Sequence, residues 1–248
     1  MITIKNREQI EKMRKAGKLT AEAIEAVHKA IHPGVTTKEL DAIAEDYIRS
    51  RGGAPSFKGY GGFPGSICAS VNEEVVHGIP SDRKLQEGDI IGIDCGVLLD
   101  GWQGDSAATF AVGKISADAQ NLIDITRQSF YEGLKMCHPG MRLGDIGHAV
   151  QSYAESHGCG VVRDLCGHGI GREMHEDPEV PNFGKPGHGL RLVKGLVIAV
   201  EPMINLGTWR VRTLNDGWTC VTADGSLSGH YEHTIAITDG EPELLTLL

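Results

Sequence analysis

No two of the six cysteines stand in a Cys-x-x-Cys pair. Their scatter, at 68, 95, 137, 159, 166 and 220, gives neither a disulfide frame nor a zinc ribbon, so reduced thiols are expected. Long apolar runs are lacking too: the longest aliphatic stretch, 196–200, falls far short of the roughly 20 residues that a membrane span needs. The opening residues, Met1-Ile-Thr-Ile-Lys5-Asn-Arg7, turn charged at once and hold no apolar core of a secretory signal, so a cytoplasmic location is expected. Positive charge is in deficit. Lys and Arg total 24 against 33 Asp and Glu, a net charge of −9, and such a surface repels both DNA and an anionic membrane. No low-complexity or linker-like stretch divides the 248 residues, which read as one globular domain over 1–248.

What the chain does contain is glycine, 33 residues of it, punctuating short elements. An apolar stripe of Ile10, Met13, Ile24 and Val27 predicts a helix within about the first 30 residues. Thr36 and Glu39 form a capping box, in which hydroxyl and carboxylate each satisfy a free backbone N–H at a helix start. Leu40, Ile43, Tyr47 and Ile48 then share one face, and Gly52-Gly53 ends the helix.

That segment has a parallel later in the chain. His32-Pro33-Gly34 is matched by His138-Pro139-Gly140, and Leu40, Tyr47, Ser50 and Gly52 by Ile146, Tyr153, Ser156 and Gly158. His77-Gly-Ile79 is echoed by His168-Gly-Ile170, and Gly88-Asp-Ile-Ile-Gly-Ile-Asp94 by Gly195-Leu-Val-Ile-Ala-Val-Glu201. Two similar halves, approximately 1–113 and 114–248, are expected around a pseudo-two-fold axis, with a site at their interface.

Carboxylates interrupt strands that otherwise read as buried. Asp100-Gly101 signals a hairpin with its loop near 99–100, which brings Asp94 and Asp105 together across two strands. Glu201 follows Leu-Val-Ile-Ala-Val, and Glu232 opens Glu-His-Thr-Ile-Ala-Ile. Each is costly to bury alone, and neither Asp94 nor Glu201 has an Arg or Lys close by within its strand. Divalent metal is the economical partner. His168, in Cys-Gly-His-Gly-Ile-Gly, adds a neutral ligand, and four carboxylates match the charge of two divalent ions. Oxygen-rich donors with one imidazole suit Mn, Fe, Co or Zn, and such a pair of ions serves hydrolysis of an amide. His77, the counterpart of His168 under the repeat, and His175 lie in glycine- and proline-rich segments that feed this site.

These residues in this order resemble the type I methionine aminopeptidases along nearly the whole chain. The stretches that carry the likeness are Asn72-Glu-Glu-Val-Val-His-Gly-Ile-Pro80, Gly88–Asp94, Gly104-Asp-Ser-Ala-Ala-Thr109, Gly167-His-Gly-Ile-Gly-Arg-Glu-Met-His-Glu176, Val200-Glu-Pro-Met203, Asp216-Gly-Trp-Thr219 and Tyr231-Glu-His-Thr234. The resemblance implies an α/β pita-bread fold, with antiparallel sheet inside and helices outside two pseudo-symmetric halves. It implies Asp94, Asp105, His168, Glu201 and Glu232 as ligands of two divalent ions, with Asp105 and Glu232 bridging and Glu201 also carrying the proton. By the same resemblance His175 contacts the scissile peptide and His77 the substrate backbone. Tyr60, Phe63, Cys68 and Trp218 line the side-chain pocket. Two positions depart from the family pattern: Met174 stands where an aromatic is usual, and His230 where Gln is usual. The implied activity is removal of the initiator methionine from nascent chains, with small residues following Met preferred, by a monomer that can meet the ribosome. Proline-directed relatives share the fold and ligands but add an N-terminal domain; a binding module on the same fold would lose the ligand residues, all of which are present here.

Overall fold

The computed structural model describes residues 2–248. Four helices and a series of mostly short strands follow from local signals. α1 (Arg7–His28) starts at Asn6, whose side chain accepts from the Gln9 N–H while Gln9 returns the bond to Asn6. α2 (Thr37–Ser50) starts at the expected box: the Glu39 carboxylate accepts from the Thr36 N–H at 2.8 Å. α3 spans Ala117–Leu134, with Ser116 capping Ala119, and α4 spans Leu143–Ser156. α2 and α4 have the same length and lie 106 residues apart, the offset of the sequence parallel.

The inner layer is a nine-stranded sheet. Its path runs Ala54–Pro55, Ile90–Leu99, Trp102–Ala111, Glu232–Ala236, Val197–Val200, Gly167–Gly169, Glu176–Val180. Every pair of neighbours along this path is antiparallel. Ile67–Val71 adds to Ile90–Leu99, and Glu243–Leu244 adds to Glu232–Ala236. The central seam joins Trp102–Ala111 from the first half to Glu232–Ala236 from the second. One apolar core packs α1 and α2 against the first-half strands, with Leu40, Ile48, Ile91 and Ile93 fully buried. A second packs Phe130 and Ile146 of α3 and α4 against Ile198, Val200 and Ile235.

The hairpin turn falls at Asp100-Gly101, one residue beyond the expected centre, because Leu99 pairs directly with Trp102. Both turn residues are left-handed, at φ 51° and 76°, as a two-residue turn of this hand requires. The repeat does not make His77 equivalent to His168. His77 follows strand Glu74–Val76, which joins a separate three-stranded sheet, whereas His168 is part of the main sheet.

Candidate active site

The register of the central strands assembles the carboxylates. Asp94 lies opposite Ala107, and Ala107 lies opposite Glu232, so these three residues share one face across three strands. Asp105 is two residues from Ala107 on the same face, opposite Gly96. Glu201 directly follows Val197–Val200, the next strand along. His168 sits between glycines that the packing requires: a Cβ on Gly167 would stand 2.3 Å from the Ala199 carbonyl oxygen, and one on Gly169 2.1 Å from that of Asp177.

His168 Nε2 faces Asp105 Oδ2 and Glu201 Oε1, each at 3.6 Å. Its other nitrogen, Nδ1, lies 2.9 Å from the Gly169 carbonyl and must donate to it, since a carbonyl only accepts. In the neutral ring, Nε2 therefore points a lone pair at two carboxylates, an arrangement that needs a positive charge between them. Donor atoms of Asp105, His168 and Glu232 all fall within 4.8 Å of one another. Asp94 Oδ1, Asp105 Oδ1 and Glu232 Oε1 are buried without hydrogen-bond partners. Among the described residues, no Lys or Arg forms an ion pair with any of these carboxylates.

Protonation follows from that crowding. Burial pushes Asp94 and Glu232 well above the carboxylate range, reinforced by their acidic neighbours, and lifts Glu201 to about 8. Burial alone would lower His168, but Asp105 and Glu201 outweigh it and raise the ring to about 9. Unpaired buried oxygens, an imidazole lone pair and the absence of basic partners together fit divalent metal.

Beside this cluster lies a cavity of about 160 Å³. It brings together every residue proposed from sequence: Asp94, Asp105, His168, Glu201 and Glu232; His77 and His175; and Tyr60, Phe63, Cys68 and Trp218. His175 Nδ1 lies 2.7 Å from the Tyr60 hydroxyl, and burial first, then His168, lowers its ring to about 4. Phe63 meets Trp218 edge-on at 5.2 Å, and His77 lies edge-on to the same indole. Phe57 also lines the cavity and was not foreseen; the only sequence signal was an aromatic three residues before Tyr60 in the same glycine-rich loop. Met174 does not line it. It is buried in the apolar cluster behind Phe57, with Met13, Trp102 and Ile170, so its departure from the family pattern acts on the wall's backing.

An antiparallel sheet that converges acidic side chains and one imidazole on a small cavity is the arrangement of a metal-dependent hydrolase. The model of metallopeptidase family M24 matches residues 11–239, and the chain belongs to that family. Among curated relatives, a methionine aminopeptidase of Clostridium acetobutylicum is 58% identical, covering 100% of this chain and 99% of its own. Methionine aminopeptidase 1 of Bacillus subtilis is 52% identical, covering 99% of each chain. The crystal structure of the methionine aminopeptidase from Thermotoga maritima superposes with a TM-score of 0.98 at 47% identity, covering 100% of both chains. A prolidase from Pyrococcus furiosus, 23% identical with a TM-score of 0.80, covers 99% of this chain and 65% of its own, and shares the fold. The pita-bread architecture expected from sequence is therefore the fold of this chain.

Proposed function

We propose that this metallopeptidase is a methionine aminopeptidase, removing the initiator methionine from nascent chains in the cytoplasm. Residues 1–248 act in this reading as one monomeric catalytic domain, its halves 1–113 and 114–248 sharing the site. The carrying observation is a single cavity lined by both the carboxylates and the aromatic side chains. At about 160 Å³ it is smaller than the roughly 300–1,000 Å³ of ordinary ligand sites, and it admits one terminal side chain. Apolar walls suit an unbranched thioether, which is flexible and polarisable. Relatives at more than 50% identity bearing that name support the same reading.

Asp94, Asp105, His168, Glu201 and Glu232 would hold two divalent ions. When bound, the ions supply a water acidic enough to attack at neutral pH and polarise the scissile carbonyl. Glu201 accepts the proton of the attacking water and passes it to the leaving amine. His175 Nδ1 lies 2.7 Å from the Tyr60 hydroxyl, and in the tautomer that accepts from that hydroxyl Nε2 carries the proton and donates to the scissile peptide. His77, set against Trp218, holds the substrate backbone and assists transfer of the proton. Phe57, Tyr60, Phe63, Cys68 and Trp218 fix the methionine side chain. A wall of this kind discriminates modestly, because one methylene is worth only about 1–3 kcal/mol.

Assay of Met-Ala-Ser against an X-Pro peptide, with Mn²⁺, Fe²⁺, Co²⁺ or Zn²⁺ added, tests the reading. Release of methionine from the first peptide alone supports it. Cleavage of X-Pro instead would assign the chain to the proline-directed relatives, and silence with every metal would favour a binding module.

A further inference from the structure

We propose that His230 is a positioning residue of the metal centre, its Nε2–H holding Glu232 Oε2 and so setting the orientation of that carboxylate toward the cations. The inference rests on the metal reading above. His230 ends strand Ser228–His230, opposite Met203. Its backbone is pinned on both sides by one hydroxyl, Thr109 Oγ1, which accepts from the His230 N–H and donates to the His230 carbonyl, each at 2.9 Å. His230 is only 3% exposed, and Nε2 is buried with no hydrogen-bond partner.

The acceptor that Nε2 faces is Glu232 Oε2, at 3.8 Å. Glu232 Oε1, the carboxylate's other oxygen, is also buried and unpartnered. A buried N–H donor beside a ligand carboxylate is the arrangement by which a residue behind a ligand orients it toward metal. Closing Nε2···Oε2 to a charge-assisted hydrogen bond needs a movement of about 1 Å, within the reach of a carboxylate turning about its own stem. Direct ligation is the weaker reading. His230 does not line the cavity, and it is not among the donor atoms that cluster within 4.8 Å. The ring therefore acts through Glu232.

The test titrates the full chain with Mn²⁺ alone by calorimetry and counts histidine nitrogens on the bound ion by pulsed EPR. It compares wild type with His230→Gln, which keeps an N–H donor, and His230→Ala and His230→Phe, which do not; Phe keeps the ring volume should the Ala variant fail to fold. The proposal expects Mn²⁺ affinity to fall about 10–100-fold in the variants without a donor, to return to within a few-fold of wild type in His230→Gln, and to show one coupled histidine throughout. Equal affinity in all four proteins, or a Gln variant as weak as Phe, would overturn it. So would a second coupled histidine in wild type that is lost in His230→Gln, which would make His230 a ligand. A wild-type chain that takes up no Mn²⁺ overturns the metal reading itself, and this inference with it.

Discussion

Ala107 stands opposite Asp94 on one side and Glu232 on the other, so its methyl group forms the floor over which those side chains meet. Any larger residue there would occupy the space that the ligands need. Ala107→Val keeps a residue suited to a strand. Overpacking of this size costs about 1–3 kcal/mol, so the fold should survive while Mn²⁺ uptake, measured by calorimetry, falls sharply. Asp105→Ala and Glu232→Ala remove a donor outright, and both should lose metal and peptidase activity together. Their thermal midpoints should no longer rise on adding Mn²⁺. His175→Ala is the contrast. Its ring contacts His168 and Tyr60 but belongs to no ligand group, so kcat should fall while metal content by elemental analysis stays near wild type.

At the scale of elements, α2 is the strut that holds the pocket loop. Asp41 accepts from the Ser66 and Ile67 N–H groups at 2.6 and 3.0 Å, and Glu45 binds Lys58 at 2.5 Å and Arg49 at 2.8 Å. Tyr60 and Phe63 lie on the loop between these anchors, and Phe57 directly precedes Lys58. Lys58, then Arg49, holds Glu45 at about 2, below its ordinary 4.5. The folded state thus gains stability from Glu45 above pH 4.5 and loses it as pH falls through about 2. Glu45→Gln should cost less than about 1 kcal/mol at neutral pH, since its partners are exposed and screened. Between pH 4.5 and pH 2, urea denaturation of Glu45→Gln should show a flatter loss of stability than wild type. An unchanged slope would remove Glu45 from the account.

Local chemistry explains which parts of this were legible in the sequence. The α2 start was readable because Thr36 and Glu39 act on backbone three residues away, and the hairpin because Asp100-Gly101 adopts backbone angles few other pairs tolerate. Asp94, Glu201 and Glu232 were legible as anomalies, charges set against apolar strands, the first two with no basic residue close by in their strands. Phe57 was not, because nothing in an irregular glycine-rich loop tells which way a ring will turn. The equivalence of His77 and His168 failed for a non-local reason: Glu74–Val76 pairs with Cys220–Thr222, a partner from the far end of the chain.

For the molecule as a whole, the candidate centre draws Asp94 and Asp105 from the first half and His168, Glu201 and Glu232 from the second. The strands that carry Asp105 and Glu232 meet at the central seam, where Thr234 Oγ1 also bonds both the N–H and the carbonyl of Asp105. Cations bound there would tie the halves together and stabilise only the folded chain. At a free metal concentration 100 times Kd the gain is about 2.7 kcal/mol, so treatment with a chelator should lower Tm and restored Mn²⁺ should recover it. The most direct measurement is anomalous diffraction from crystals grown with Mn²⁺. The account predicts two peaks about 3.5–4 Å apart, both within bonding reach of Asp105 and Glu232. A map with no anomalous density between those carboxylates, at saturating Mn²⁺, would contradict it.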